Sequence, residues 1–111
     1  MKEIMITGRQ TNSPNKKFIV GGIQCRQTLE WYVLVTGQSL GERLYEEQAK
    51  VASGKYGTKY KRTPFRDLIQ KYGPSEFTPV EFKYLPTLAE ANSFKAQILV
   101  KLFESDQAIV A

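Results

Sequence analysis

Hydrophobic and polar positions along this chain alternate in blocks whose period changes twice. From Lys17 to Arg26 the apolar residues Phe18, Ile19, Val20 and Ile23 read as a strand, with Gly21-Gly22 inside it read as a bulge. Gln27-Thr28-Leu29-Glu30 has hairpin length. Trp31 to Thr36 is mostly apolar and rich in β-formers, the pattern of a central strand. The period then becomes helical. Leu40, Leu44 and Val51 share one face, Ser39-Leu40-Gly41-Glu42 has capping-box form, and Gly54 is a natural stop. A second helix opens at Thr63-Pro64, with Thr63 as N-cap and Pro64 in the first turn. In it Phe65, Leu68, Ile69 and Tyr72 fall at i, i+3, i+4 and i+7, and Gly73-Pro74 ends it.

The period returns to two between Phe77 and Tyr84. Val80, Phe82 and Tyr84 fall on one side and Glu81 and Lys83 on the other, and Pro79 favours an edge strand or a late start. Thr87-Leu88-Ala89-Glu90 is a second capping box. The helix after it runs to about Phe103, with Leu88, Ala91, Phe94, Ile98 and Leu102 inward. At the ends, Lys2 to Thr7 reads as a short strand with Ile4 and Ile6 on one face, and Gly8 to Asn15 as a polar loop. Ala108 to Ala111 is open to two readings, a loose tail or a short added strand. The order ββααβα predicts an α+β fold, a small antiparallel sheet of about three strands flanked by about three helices. At 111 residues the chain fits a single domain, 1–111.

Composition narrows the chemistry by subtraction. There is no histidine, which removes Ser-His-Asp and Cys-His catalysis and His-based zinc sites. The single cysteine, Cys25, sits in a strand-like run and reads as a small buried hydrophobe, so no metal is expected. One cysteine forms no intramolecular disulfide. Met1-Lys2-Glu3-Ile4-Met5 lacks the apolar region of a signal peptide, and no apolar run reaches bilayer length. Together these lead us to expect a cytoplasmic protein, within a host cell, with no membrane partner.

Charge adds a positive signal. The net charge is +5. Between Glu47 and Asp67 lie Lys50, Lys55, Lys59, Lys61, Arg62 and Arg66, with no acid among them and with Tyr56, Tyr60 and Phe65 interleaved. Cations serve phosphates and aromatic rings serve bases, so the run predicts a nucleic-acid partner, DNA ahead of RNA. Arg43 follows the Gly37 turn at the start of a helix, where free backbone N–H groups favour an anion.

Several segments resemble the GIY-YIG nuclease domain. Leu68-Ile69-Gln70-Lys71-Tyr72-Gly73-Pro74-Ser75-Glu76-Phe77 and Leu88-Ala89-Glu90-Ala91-Asn92 are similar to its second half. Val35-Thr36-Gly37-Gln38-Ser39-Leu40-Gly41-Glu42-Arg43-Leu44 resembles the YIG strand, its turn and the helix that carries the family arginine. Gly22-Ile23-Gln24 stands where the GIY triplet would fall, and the likeness spans roughly residues 17–103. The resemblance implies a divalent metal held by a glutamate, a tyrosine near the attacking water, and an arginine on the phosphate.

Most of that set is substituted. The two family tyrosines fall on Gln24 and Val35, the histidine or tyrosine one turn after the arginine on Glu47, and the metal-binding glutamate on Lys95; Arg43 and Gly37 are kept. A lysine repels Mg²⁺ yet attracts a phosphate, and neither glutamine nor valine carries an acidic hydroxyl.

The reading that follows is a catalytically degenerate domain that binds nucleic acid without cleaving it. Lys50, Lys55, Lys59, Lys61, Arg62 and Arg66 would contact backbone phosphates, Tyr56 and Tyr60 would stack or buttress, and Arg43 and Lys95 would hold a phosphate in one cleft with Gln24 and Val35. Two alternatives stand beside it. One is a Mg²⁺-dependent endonuclease with a rearranged site using Arg43 and Glu47, although Glu47 at i+4 from Arg43 also suits an ordinary ion pair. The other is a phage or mobile-element protein that binds a host protein, a nucleic-acid enzyme, and modulates it.

Overall fold

The structure is a computed structural model and describes residues 18–110. The expected strand Lys2–Thr7, the loop Gly8–Asn15 and Ala111 lie outside the described residues. Three strands, β1 (Phe18–Cys25), β2 (Trp31–Thr36) and β3 (Phe77–Leu85), form one antiparallel sheet in the order β2-β1-β3. Three helices complete it, α1 (Leu40–Ala52), α2 (Pro64–Tyr72) and α3 (Leu88–Glu104), with a 3₁₀ turn at Pro74–Glu76 leading into β3. The fold is α+β in the order ββααβα.

Local chemistry accounts for where the helices begin. The Ser39 hydroxyl accepts from the Glu42 N–H, and the Glu42 carboxylate accepts from the Ser39 N–H, so α1 carries the complete capping box. Thr63 and Thr87 cap α2 and α3 by accepting from the N–H groups of Arg66 and Glu90. Gly54, at φ +83°, turns the chain out of α1 in the left-handed region.

Alternation along the strands gives the sheet two buried faces. On one face Ile23, Cys25, Leu34 and Phe77 pack against Leu40 of α1 and against Phe65 and Ile69 of α2. Tyr32 stacks on Phe65, with ring centroids 4.1 Å apart, and Phe65 meets Phe77 edge-on. On the other face Val33 and Phe82 pack against Ile98 and Leu102 of α3, with Trp31 and Val80 at the margin. The Cys25 side chain is buried, as a small hydrophobe would be.

Four details differ from the sequence reading. First, β1 is central and β2 is an edge strand. The unbroken apolar run in β2 reflects helices on both faces of the sheet, which bury alternate residues even at its margin. Second, the bulge lies across from the Gly21-Gly22 pair. The register slips at Val20/Gly21 against β3, where Val20 faces Lys83 and Gly21 faces Glu81, so Phe82 is the extra residue. Glu81 and Tyr84 therefore share a face. The glycines serve close approach instead: a Cβ at Gly22 would lie 2.7 Å from Trp31 Cε3, and one at Gly21 would lie 2.8 Å from the Val80 carbonyl oxygen.

Third, Leu88 opens α3 one turn before the first buried residue, Ala91, and is 51% exposed rather than inward. Fourth, of the two readings for the C-terminal segment, the added strand holds as a single parallel rung. Trp31 N–H donates to the Ala108 carbonyl and Val110 N–H to the Trp31 carbonyl, at 2.9 and 2.8 Å. That rung places Val110 in the core beside α1 and α2.

Candidate nucleic-acid interface

The connection between α1 and α2 carries most of the basic run. Its backbone folds back on itself. Gly57 at φ +91° makes the turn, its N–H donates to the Tyr60 carbonyl at 2.7 Å, and Tyr56 bridges to Tyr60. Both ends are fastened from the side. The Tyr56 hydroxyl donates to Asp67 Oδ1 at 2.7 Å, and Arg62 Nη1 donates to the same oxygen at 2.9 Å. The Arg62 guanidinium also lies 4.6 Å above the Tyr56 ring. Burial, then the bond to Asp67, holds the Tyr56 hydroxyl above its ordinary titration value. Tyr56 thus buttresses the loop, one of its two expected roles.

The run that is acid-free in sequence acquires acids in the fold, because the two carboxylates that bound it turn back onto it. Asp67 takes Arg62. Glu47 takes Arg66, whose Nε donates to Oε1 at 2.7 Å while its Nη1 donates to the Lys61 carbonyl at 2.8 Å. Arg43 Nε donates to the other Glu47 oxygen at 3.4 Å. Only 5% of the Glu47 side chain is exposed, against 15% for Arg66 and 27% for Arg43.

Burial raises the Glu47 carboxyl, yet the hydrogen bond and charge of Arg66, helped by the charges of Arg43 and Lys50, more than offset it, so it titrates below 4.5. The bond to Glu47 in turn holds Arg66 above its ordinary value. Arg66 is a structural cation in this arrangement, which changes the expectation that it stands with the lysines. The ion pair expected of Glu47 with Arg43 is present, and Arg66 makes it a three-membered cluster. As a metal ligand Glu47 is poorly placed, since both oxygens already face guanidinium groups and a divalent ion would meet two like charges.

The lysines are arranged differently. Lys50, Lys55, Lys59 and Lys61 form no ion pair among the described residues, and Lys55, Lys59 and Lys61 are exposed. The ammonium groups of Lys59 and Lys50 lie 5.4 and 6.0 Å from the centre of the half-buried Tyr60 ring. A ring with two cations at hand offers a nucleic acid a stacking surface and phosphate contacts within one nucleotide's reach.

The positions assigned through the family resemblance do not meet in one cleft. Gln24 stands opposite Trp31 at the hairpin end and donates from Nε2 to the Leu29 carbonyl at 3.1 Å. Val35 pairs with Val20, at the far end of the same ladder. Lys95 is half-buried on α3. Arg43 lies on α1, across the sheet from α3. Strand alternation puts Gln24 and Val35 on the α3 side, so the sheet separates Arg43 from the other three. Arg43 and Lys95 therefore do not share a phosphate site.

Sequence reasoning missed Asp67 as the joint receptor of Tyr56 and Arg62. The signal available was its place directly after the basic run, on the first turn of the next helix. It also missed the second partner of Glu47, since nothing in spacing alone brings Arg66 back across nineteen positions.

Comparison with protein families, with curated proteins and with solved structures finds no match to this chain. The functional reading therefore rests on the residues and geometry described above.

Proposed function

We propose that this protein binds nucleic acid without cleaving it, using the α1–α2 connection on a degenerate GIY-YIG-like scaffold. One observation carries the reading: Lys50, at the end of α1, and Lys59, on the connection, both lie close to the Tyr60 ring, while the arginines Arg62 and Arg66 are tied to Asp67 and Glu47. The tied arginines hold the loop in shape. The unpaired lysines, with Lys55 and Lys61, supply the charge that meets phosphate, and Tyr60 supplies a face for a base. Element order supports the scaffold part of the reading. The engagement of Glu47 by two arginines supports the non-cleaving part.

The test is a gel shift and a nicking assay on the same supercoiled plasmid, with and without Mg²⁺. The reading expects retarded plasmid, intact strands in both conditions, and weaker retardation as salt rises. A relaxed or linear product that depends on Mg²⁺ overturns the non-cleaving part. Absence of retardation at low salt, on plasmid and on single-stranded DNA alike, overturns the binding part.

A further inference from the structure

Granted the nucleic-acid reading above, on which this assignment rests, we propose that the α1–α2 connection takes single-stranded nucleic acid in preference to duplex. The Tyr60 ring stacks on one unpaired base, and Lys50 and Lys59 meet the adjoining phosphates. The other aromatic residues of the basic run are already engaged. Tyr56 gives its hydroxyl to Asp67 and its ring to Arg62, 4.6 Å away. Phe65 is buried against Tyr32 and Phe77. The half-buried Tyr60 joins no aromatic stack among the described residues, and its hydroxyl makes no hydrogen bond among them. Its main chain is nonetheless fixed: the N–H donates to the Lys55 carbonyl at 3.1 Å, and the carbonyl accepts from the Gly57 N–H at 2.7 Å. A ring on a backbone already held in place loses little freedom when a base settles on it.

The cations around the ring favour the same substrate. The ammonium groups of Lys59 and Lys50 lie 5.4 and 6.0 Å from its centre, at the outer edge of the roughly 6 Å within which a ring face attracts a cation. They are close to the ring without being seated on it, so they can turn to phosphate while a base takes the face. Duplex sequence is read chiefly by arginine, asparagine and glutamine on base edges in the major groove. Here Arg62 and Arg66 are held by Asp67 and Glu47. What stays open on the connection is point charge and one ring, a pairing that suits a single strand, whose bases show their faces. In a duplex those faces are covered by neighbouring base pairs, and exposing one requires a base to leave the stack. Lysine contacts to phosphate therefore act on both forms, and the Tyr60 contact acts on the single strand alone. Tyr45 provides the contrast. At 70% exposure it is the more open ring, yet it shares its surface with Glu42 and Glu46, whose charge repels a phosphate backbone.

The experiment is fluorescence anisotropy of the full chain with a labelled oligothymidine, and with the same strand paired to its complement, at one salt concentration. The expected result is about tenfold tighter binding of the single strand. Tyr60→Ala should remove that preference, weakening the single strand about tenfold and leaving the duplex nearly unchanged. Tyr60→Phe should keep it, since the ring and not the hydroxyl makes the contact. Tyr45→Ala should change neither affinity. Stacking is read directly from 2-aminopurine placed in the thymidine strand, whose fluorescence the native chain should quench and Tyr60→Ala should not. Melting temperatures are followed in parallel; if Tyr60→Ala fails to fold, the strand preference and the quenching by the native chain decide. Equal or tighter binding of the duplex, a preference that survives in folded Tyr60→Ala, or unquenched 2-aminopurine overturns the proposal and leaves the nucleic-acid reading standing. Failure to bind either oligonucleotide overturns that reading and the proposal with it.

Discussion

Glu47 concentrates the residue-scale physics of this protein. A carboxylate removed from water costs several kcal/mol unless opposite charge and hydrogen bonds replace the lost hydration. Here Arg66 and Arg43 replace it on separate oxygens. Removing the acid alone leaves the largely buried Arg66 uncompensated, so Glu47→Ala should cost about 3 kcal/mol of unfolding free energy. Arg43→Ala should cost about 1 kcal/mol or less, because that contact is longer and more exposed. The pH dependence has a definite sign. A carboxyl held below its ordinary value in the folded state stabilises fully above 4.5, and that stability is lost as pH falls through the lower folded value. Urea unfolding of the native chain and of Glu47→Gln across that range should show the acid limb flattened in the variant. An unchanged limb would mean the cluster contributes no pH-dependent stability. The Arg43–Glu47 half of this cluster was legible from i, i+4 spacing. The Arg66 half was not, because it depends on how two helices meet, and no local pattern reports that.

At the scale of elements, caps and periodicity carried the reading well where structure is local. Ser39, Thr63 and Thr87 each mark a helix start by an orphan N–H that their hydroxyls satisfy. The order of strands escaped, because β2 is apolar for a reason the sequence does not distinguish: burial between helix layers, not a place in the middle of the sheet. The bulge at Phe82 escaped too, and it matters for chemistry. A strand without it would send Glu81 and Tyr84 to opposite faces. With it, the Tyr84 hydroxyl donates to Glu81 Oε1 at 2.6 Å. Burial, and then that bond, push the Tyr84 phenol from 10.0 up to about 12. A raised value means the stabilisation is complete below 10.0 and is lost as pH rises towards the folded value. Alkaline unfolding of the native chain should therefore show a loss of stability between those values, and Tyr84→Phe should remove the larger part of that limb, leaving the share that Tyr56 contributes. The phenolate absorbance, followed in the same titration, checks the assignment directly. If Tyr84 ionises near 10.0 in the folded protein, the bond to Glu81 is not the source.

For the whole molecule the question is how a net charge of +5 becomes a surface that meets polyanions. The sum misleads, because cations of equal formal charge do different work. Arg43 and Arg66 hold Glu47, and Arg62, over the Tyr56 ring, holds Asp67 beside the Tyr56 hydroxyl. Lys50, Lys55, Lys59 and Lys61 carry no ion pair among the described residues, and they lie along the last turn of α1 and the connection that follows it. If these four make the phosphate contacts, log K should fall with log salt with a slope of roughly −3 to −4 on duplex DNA, near −0.9 per contact. Each of Lys55→Ala, Lys59→Ala and Lys61→Ala should reduce that slope by about one contact and leave the melting temperature unchanged. Arg66→Ala should do the reverse, lowering the melting temperature while the slope stays put. Anisotropy of a labelled oligonucleotide over a salt series, with thermal unfolding of each variant in parallel, separates the two classes. A slope lost equally with Arg66→Ala would mean that binding opens the Glu47 pair and draws its arginine to phosphate. The cluster would then be a latch on the loop and not only its anchor.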